Sequence, residues 1–135
     1  MVLVDTNILV ALLVRNTPWF SQARALYERD EDWRSESHAI VELTNVLTRY
    51  VRVGEFEVEA ALGMLDVAQE RFSGGLHAAP HSEAMRMALG TKVSAYDARF
   101  LVAARELGVK LTTEDTKLRR AAPDLTQSLE EALAT

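Results

Sequence analysis

The chain of 135 residues contains no cysteine. This absence excludes thiol catalysis, zinc–thiolate centres and disulfide bonds, and it is typical of a protein in a reducing cytosol. The sequence also lacks any uninterrupted apolar stretch near the roughly 20 residues that cross a bilayer. Its apolar opening at 1–4 ends at Asp5 and has no basic segment, unlike a secretory signal. We therefore expect a cytoplasmic protein without a membrane partner.

Basic residues are outnumbered by acidic ones, with 15 Lys and Arg against 20 Asp and Glu and a net charge of −5. Nucleic-acid-binding domains are usually basic, so this composition argues against a nucleic-acid partner. However, −4 of this charge comes from four acids at strand ends or on helices: Asp5, Glu42, Asp97 and Asp115. If a divalent metal neutralises these four, the remaining chain is nearly neutral and the objection largely disappears.

Short apolar segments alternate along the chain with segments in which apolar residues have helical spacing. Strands are predicted at 2–4, 33–36, 76–79, 109–112 and 125–128, and the longer helices at 8–13, 18–29, 37–51, 55–71, 81–89 and 94–107. This alternation predicts an α/β fold: a three-layer α/β/α sandwich with a central, mostly parallel sheet of four or five short strands. Because no repeat, low-complexity tract or linker interrupts the pattern, 1–135 is predicted to be a single domain.

Asp5 and Asp115 follow predicted strands. Each is well placed to cap the next helix, because Asp is a favoured N-cap residue. Each is also well placed for chemistry, because ligands of open α/β sheets bind beyond the carboxyl ends of the strands. Both interpretations stay open from the sequence alone. Glu114 is a weaker candidate for the role of Asp115.

Glu42 and Asp97 lie on predicted helices. For Glu42 the default interpretation is an exposed, solvated side chain, since Glu is rarely buried without a partner. Asp97 comes three residues after Ser94, as in a variant of the capping box. Yet apolar side chains lie three, four and seven residues beyond it, and a carboxylate on that face would be costly unless paired or metal-bound. We therefore favour a functional role for Asp97.

The four acids together predict a metal site. Asp5 and Asp115 would share one edge of the sheet, where like charges repel unless a cation compensates them. Carboxylate oxygens without a His or Cys partner select Mg²⁺ or Mn²⁺. A metal held in this way can activate water and stabilise charge at phosphorus, which is the usual chemistry of metal-dependent nucleases.

The sequence around these acids resembles the PIN-domain family and, within it, the small bacterial VapC-like toxins. The resemblance covers essentially the whole chain. It rests on four segments in the family's order and spacing: LVDTN at 3–7, VEL at 41–43, SAYDA at 94–98 and LTTEDTKL at 111–118. An opening of this kind is a weak signal alone, whereas the ordered set of four is fairly specific.

The resemblance implies a Mg²⁺- or Mn²⁺-dependent endoribonuclease with a three-layer α/β/α fold. Asp5 and Asp97 would be the principal metal ligands, and Glu42 and Asp115 would complete the acidic pocket directly or through water. Family members are usually homodimers that a small antitoxin neutralises. The expected partners are therefore RNA, an antitoxin and a second copy of the chain.

The resemblance also implies supporting roles for Asn7 and Thr113, which would hold the acids by hydrogen bonds. Other side chains are candidates for contact with a partner. Trp19, Phe20 and Phe56 would form an antitoxin groove or a dimer face, or else belong to the core. Eight basic residues are candidates for phosphate contact or, alternatively, for solvated surface charge: Arg15, Arg49, Arg52, Lys92, Arg99, Lys117, Arg119 and Arg120.

Four alternatives to this interpretation remain weaker. A PIN-like nuclease acting in RNA maturation or on DNA, without an antitoxin, would use the same acids. A phosphoacceptor signalling domain needs a mid-chain Asp directly after a strand, but Asp66 lies in a helical pattern. A non-enzymatic α/β binding module would use the acids only as caps. A zinc site at His77 and His81 would require one continuous helix.

Overall fold

Five short parallel strands form the central sheet of the computed structural model, which describes all 135 residues. The strands are β1 (Val2–Val4), β2 (Trp33–Glu36), β3 (Leu76–His77), β4 (Leu111–Thr112) and β5 (Thr126–Gln127). Their spatial order is β3-β2-β1-β4-β5, and every neighbouring pair is parallel. The predicted strands at 2–4 and 33–36 are confirmed with the same bounds.

Eight helices flank this sheet and confirm the predicted three-layer α/β/α fold. They are α1 (Thr6–Leu13), α2 (Phe20–Arg29), α3 (His38–Arg52), α4 (Val58–Phe72), α5 (His81–Thr91), α6 (Ala95–Leu107), α7 (Thr116–Ala121) and α8 (Leu129–Leu133). A short 3₁₀ turn at Ser73–Gly75 connects α4 to β3. None of the helices combines the length and hydropathy that a bilayer-spanning segment requires.

The sheet is covered on both faces, which explains why its central strand, β1, is a continuous apolar run. Leu3, Val4 and Leu111 are fully buried. At the start of β2, Trp33 stacks on Phe72 with ring centroids 6.2 Å apart. The buried apolar side chains of strands and helices join in one continuous hydrophobic cluster.

Three predicted strands are shorter in the structure than the apolar patterns indicated. β3 ends at His77 because the next residues leave the sheet: the backbone N–H of Ala79 donates to the side chain of Glu36, and Pro80 has no N–H. β4 begins late because the N–H of Val109 donates to the carbonyl of Ala104 at the end of α6.

The helix predicted from 55 begins three residues later, at Val58. The intervening turn closes through the N–H of Glu55, which donates to the carbonyl of Tyr50. Gly54 occupies the left-handed region with φ of 79°, a conformation that favours glycine. Gly108 caps α6 in the same region, with φ of 69°, and the helix ends at Leu107 as the sequence predicted.

The order of the strands creates a crevice beside β1. From β1 the chain proceeds to β2 and β3 on one side, whereas β4 and β5 lie on the other. Connections therefore leave the carboxyl ends of β1 and β4 in opposite directions, which is the usual position of a ligand site in open parallel sheets. Asp5 lies at this point, and its N–H donates to the carbonyl of Thr112 at the end of β4 (3.0 Å).

Candidate active-site cleft

All four acids singled out from the sequence line a single cleft of about 570 Å³. Asp5 directly follows β1, Glu42 is on the second turn of α3, Asp97 is in the first turn of α6, and Asp115 immediately precedes α7. Four separate elements thus bring four carboxylates to one opening at the carboxyl end of the sheet. We call this opening the acidic cleft.

Asp5 caps α1 and also lines the cleft, so the two interpretations that the sequence left open are compatible. Its Oδ1 accepts a hydrogen bond from the N–H of Thr6 at 2.7 Å and so caps α1. Its Oδ2 accepts from the hydroxyl of Thr113 at 2.7 Å and from the amide of Asn7 at 3.3 Å. Burial raises the pKa of Asp5 from 3.8 to about 6; the bonds from Thr113 and Thr6 oppose this, and the charges of Glu42 and Asp97 add to it.

Asn7 and Thr113 hold Asp5 by hydrogen bonds, as the resemblance implied, and they also connect the ends of β1 and β4. The amide of Asn7 donates to Thr113 Oγ1 at 3.1 Å, and its Oδ1 accepts from the N–H of Glu114 at 3.2 Å. Thr113 Oγ1 also accepts from the N–H of Asp115 at 3.1 Å. A single hydroxyl therefore connects Asp5 to the backbone of Asp115, which fixes the spacing between these two acids.

Glu42 is half-buried and not the solvated surface residue that its helical position favoured. Its Oε1 accepts from the hydroxyl of Thr6 at 2.9 Å. Thr6 consequently holds two acids at once, with its N–H on Asp5 and its hydroxyl on Glu42. Burial raises the pKa of Glu42, the bond from Thr6 opposes this, and the charges of Asp97 and Glu36 raise it further.

Asp97 lines the cleft near the beginning of α6, on the helix whose apolar face the sequence predicted it to share. It is half-buried, and the deeply buried part of α6 begins at Ala98. The N–H of Asp97 donates to the hydroxyl of Ser94, the predicted cap, at 3.0 Å. Burial raises the pKa of Asp97, and the nearby charge of Asp115 raises it further, whereas a hydrogen bond with Ser94 lowers it.

Asp115 is a cap and also a cleft residue. Its Oδ1 accepts from the N–H groups of Lys117 and Leu118, at 3.0 and 3.1 Å, at the start of α7. Its other oxygen accepts no hydrogen bond from the protein. The sequence posed capping and chemistry as alternatives, but one carboxylate has two oxygens and can serve both.

The cleft has the chemistry of a hard cation site. Its charged residues are all acids, because no Lys, Arg or His lines it. The other polar groups on its walls also offer oxygen: Thr6, Asn7, Asn16 and Thr17. Oxygen ligands of this kind suit Mg²⁺ and Mn²⁺. As the side chains stand, no three of the acids are grouped closely enough to hold an ion by direct contact alone.

The cleft is also lined by residues that the sequence did not assign to the site. Glu55 is a fifth acid there, and Trp19 and Tyr50 are aromatic. Trp19 is 37% exposed, and Tyr50 packs on Phe56 with ring centroids 4.9 Å apart. Nothing in the local sequence pattern distinguishes Glu55 from other surface acids.

Two of the basic residues proposed for phosphate contact are engaged within the protein. Arg99 forms an ion pair with the fully buried Glu36, with Nε and Oε2 2.8 Å apart. Arg119 donates to the carbonyl of Thr113 at 2.6 Å and lies 3.5 Å from Glu114. Neither belongs to the solvated surface, and neither lines the cleft.

Phe20, His77 and His81, which the sequence also singled out, do not line the cleft. Phe20 lines a separate groove next to Tyr27 and Phe72. His77 ends β3 and lies 2.7 Å from a carboxylate oxygen of Glu106, whereas His81 begins α5 and accepts from Arg99 at 3.0 Å. The two histidines are on different elements with different partners, so their spacing does not form a helical zinc motif.

Comparison with known proteins agrees with this architecture. A search of curated sequences gives no significant match. Among solved structures, PAE2754 from Pyrobaculum aerophilum is 24% identical with a TM-score of 0.76, over 98% of this chain and 91% of that one. FitAcB from Neisseria gonorrhoeae is 15% identical with a TM-score of 0.67, over 95% and 96% of the two chains.

A structure of FitAB bound to the IR36 DNA fragment is also similar, at 15% identity and a TM-score of 0.72, over 96% of this chain and 95% of that one. Likeness at these identities shows a common fold. The family model of the PIN domain matches residues 2–123, which is most of the chain. The chain therefore belongs to the PIN-domain family, whose members are nucleases that generally use divalent metal ions.

Proposed function

We propose that this PIN domain is a Mg²⁺- or Mn²⁺-dependent endoribonuclease, in which Asp5, Glu42, Asp97 and Asp115 are the catalytic residues. One observation carries the proposal: four carboxylates from four elements line one cleft that contains no basic side chain. The charges of neighbouring acids raise the pKa of Asp5, Glu42 and Asp97, and a bound cation would offset this repulsion. The acidic cleft is thus built for a ligand of positive charge.

Asp5 and Asp97 are proposed as the direct metal ligands, with Glu42 and Asp115 acting directly or through bound water. Mg²⁺ commonly keeps several waters and binds through one or two carboxylates, which suits a cleft in which the acids are spread apart. The bound ion would supply an activated water and stabilise negative charge at phosphorus. The chain supplies orientation, because Thr6, Asn7 and Thr113 fix Asp5 from three directions.

The raised pKa values support the need for a cation. Asp5, Glu42 and Asp97 all have a raised pKa, with burial as the largest cause in each case. With a pKa of about 6, Asp5 is partly protonated just below neutral pH. Ligation requires the deprotonated carboxylate, so metal binding should release protons and weaken as the pH falls.

The residues that line the cleft support a single-stranded nucleic acid as the substrate. A phosphate would be repelled by the acids alone, so the bound metal would have to mediate its approach. Trp19 and Tyr50, which line the same cleft, offer aromatic surfaces. Proteins commonly recognise unpaired RNA bases by stacking them on such side chains. We propose that bases next to the scissile phosphate stack on these two side chains.

The resemblance to VapC-like toxins supports a more specific role, a cytoplasmic toxin that is neutralised by a small antitoxin. We further propose that 1–135 acts as one domain, since its buried apolar residues form one cluster. A homodimer is also proposed. Its support is a group of exposed apolar side chains on α5 and at the start of α6, namely Met85, Leu89 and Tyr96, which a second copy could cover.

A cleavage assay with metal exchange tests the proposed activity. Protein stripped with EDTA is incubated with labelled single-stranded RNA, then with added Mg²⁺ or Mn²⁺, beside DNA of the same sequence. We expect no cleavage without metal, restored RNA cleavage with either ion and little cleavage of DNA. Undiminished RNA cleavage in excess EDTA would refute the metal mechanism. Preferential cleavage of DNA would support the alternative of a PIN-like DNA nuclease.

A further inference from the structure

Glu36 is a buried carboxylate outside the acidic cleft. It is the last residue of β2, and its side chain is completely inaccessible to solvent. Its Oε1 accepts from the N–H of His38 and from the hydroxyl of Ser37 at the start of α3. Its Oε2 accepts from the N–H of Ala79 at 3.2 Å, in the segment between β3 and α5. Glu36 therefore gathers three parts of the chain around one carboxylate.

Arg99 supplies the positive charge for Glu36. Its side chain is 16% exposed, and its Nε lies 2.8 Å from Glu36 Oε2. Its Nη1 donates to Nδ1 of His81, the first residue of α5, at 3.0 Å. Arg99 is on the first half of α6, two residues after Asp97. The ion pair thus joins the start of α6 to the start of α3 and to α5.

Both helices joined by this pair carry an acid of the cleft. Glu42 is on α3 and Asp97 is on α6. The carboxylate of Asp97 accepts no hydrogen bond from any other element, since its one hydrogen-bond partner is Ser94 at the start of its own helix. By contrast, Asp5 is held by Thr113 from beyond β4, and Glu42 is held by Thr6. The position of Asp97 consequently depends on where the first turn of α6 is fixed.

We propose that Glu36 and Arg99 are positioning residues for the metal site: their ion pair fixes the start of α6 against α3 and so sets the spacing between Asp97 and Glu42. This inference rests on the proposed metal-dependent function. Neither residue touches the reacting atoms. They act through the helices that carry the two acids, as partners of metal ligands commonly do.

An ion pair that only stabilised the fold would affect unfolding without affecting metal affinity. Burying two charges is costly, so replacing both members of a buried pair with uncharged residues is often neutral for stability. What such a replacement does remove is the directional link, because guanidinium and carboxylate meet in a defined geometry. The two roles can therefore be separated by measuring metal affinity and stability in the same variant.

The test uses the double variant Glu36→Gln/Arg99→Met. The amide keeps an acceptor for the first N–H of α3, and both charges are removed together. The matched control is Glu83→Gln/Arg105→Met, because Arg105 and Glu83 form another ion pair between α6 and α5 (3.0 Å) whose residues do not line the cleft. Mn²⁺ affinity is measured by electron paramagnetic resonance of free Mn²⁺, and folding by thermal unfolding.

We expect the Glu36→Gln/Arg99→Met protein to remain folded and to bind Mn²⁺ roughly 10- to 100-fold more weakly than the unmodified chain. The control should bind Mn²⁺ with unchanged affinity. Equal Mn²⁺ affinity in the two double variants and the unmodified chain would overturn the inference while leaving the proposed function intact. Absence of Mn²⁺ binding in the unmodified chain would overturn both.

If the double variant does not fold, Arg99→Lys provides the same test. Lys keeps a positive charge beside Glu36 but has a single ammonium, which cannot also reproduce the fork that reaches His81. We expect a folded protein with weakened Mn²⁺ binding. Mn²⁺ affinity equal to that of the unmodified chain would contradict a positioning role for Arg99.

Discussion

Two buried carboxylates lie at the carboxyl ends of neighbouring strands, yet their surroundings are opposite. Glu36 ends β2 and is paired with the guanidinium of Arg99. Asp5 follows β1 and is only 8% exposed, but the nearest charged groups that affect it are Glu42 and Asp97. Glu36 therefore has a positively charged partner within the protein, whereas Asp5 has none.

This difference separates a structural acid from the proposed metal ligands. A buried carboxylate with its own cation contributes to the orientation of the elements around it. A buried carboxylate among other acids is unfavourable in the metal-free protein and becomes favourable only when an external cation binds. The same substitution, from acid to amide, should therefore have opposite effects on stability at the two positions. The predictions below use that contrast.

The largest effect is expected on cleavage. Asp5→Asn and Asp97→Asn should each lower kcat/KM for RNA by roughly 10⁴-fold, which is about 5 kcal/mol of transition-state stabilisation, because each removes a proposed metal ligand. The control is Glu83→Gln, an acid that pairs with Arg86 and Arg105 outside the cleft and should leave cleavage unchanged. Full activity in Asp5→Asn would remove the nuclease interpretation of these acids.

A smaller effect is expected for Glu36→Gln, which leaves Arg99 largely buried without a counter-charge. Breaking one side of such a pair typically costs about 3 to 5 kcal/mol of unfolding free energy. Urea unfolding at pH 7.5 measures this loss, and Glu83→Gln again serves as the control. Because the pairs of Glu83 are partly exposed, its loss should be about 1 kcal/mol or less. Equal losses at Glu36 and Glu83 would contradict the contrast drawn here.

In metal-free protein, Asp5→Asn is expected to raise the free energy of unfolding, whereas Glu36→Gln lowers it. The pKa of Asp5 rises from 3.8 to about 6 on folding, so the folded state binds its proton more tightly. The contribution of Asp5 to the free energy of unfolding is fully present below pH 3.8 and is lost as the pH rises through about 6. At about 1.4 kcal/mol per pKa unit, the loss approaches about 3 kcal/mol.

Asp5→Asn should therefore be more stable than the unmodified chain in EDTA above pH 7, by about 1 to 3 kcal/mol, since an amide carries no charge to desolvate. The difference should shrink towards zero near pH 4. Urea unfolding of both proteins across this pH range measures it. A destabilised Asp5→Asn at pH 8 would show that capping of α1, and not charge, dominates at this position.

The smallest effect is expected on RNA binding, at the aromatic lining of the cleft. Trp19→Ala should raise KM for single-stranded RNA about tenfold, because a stacked base contributes roughly 1 to 3 kcal/mol. The value of kcat should change little, since Trp19 is not one of the proposed catalytic residues. Trp19→Phe is the matched control and should retain most of the affinity. A KM unchanged in Trp19→Ala would place the substrate elsewhere.

Features with a local signal were predicted from the sequence better than contacts between distant residues. Asp5 was located correctly because its signal is local: a buried apolar strand is followed at once by a residue that ends it. The three-layer fold followed from the alternation of strands and helices. The capping of α6 by Ser94 and Gly108 was also readable, since both are short-range effects.

The parts that the sequence could not provide depend on contacts between distant residues. Glu36 lies in a weak strand pattern, and its burial makes sense only with Arg99, which is far along the chain. Glu42 looked like a surface residue because its partner, Thr6, is on another helix. Glu55 and Tyr50 line the cleft because of the turn at the end of α3, and the spacing of residues in the sequence does not reveal that position. Local sequence patterns predict helices and strands, whereas the contacts of a side chain with distant residues require the three-dimensional fold.

Calorimetric titration of the chelated protein with Mn²⁺ at pH 7.5 tests the central claim most directly. Unmodified protein and Glu83→Gln should show saturable binding, whereas Asp5→Asn should bind at least about tenfold more weakly, as expected when a direct ligand of the ion is lost. If the unmodified chain binds no Mn²⁺, or if Asp5→Asn binds it equally well, the acidic cleft is not the cation site that its uncompensated charge indicates.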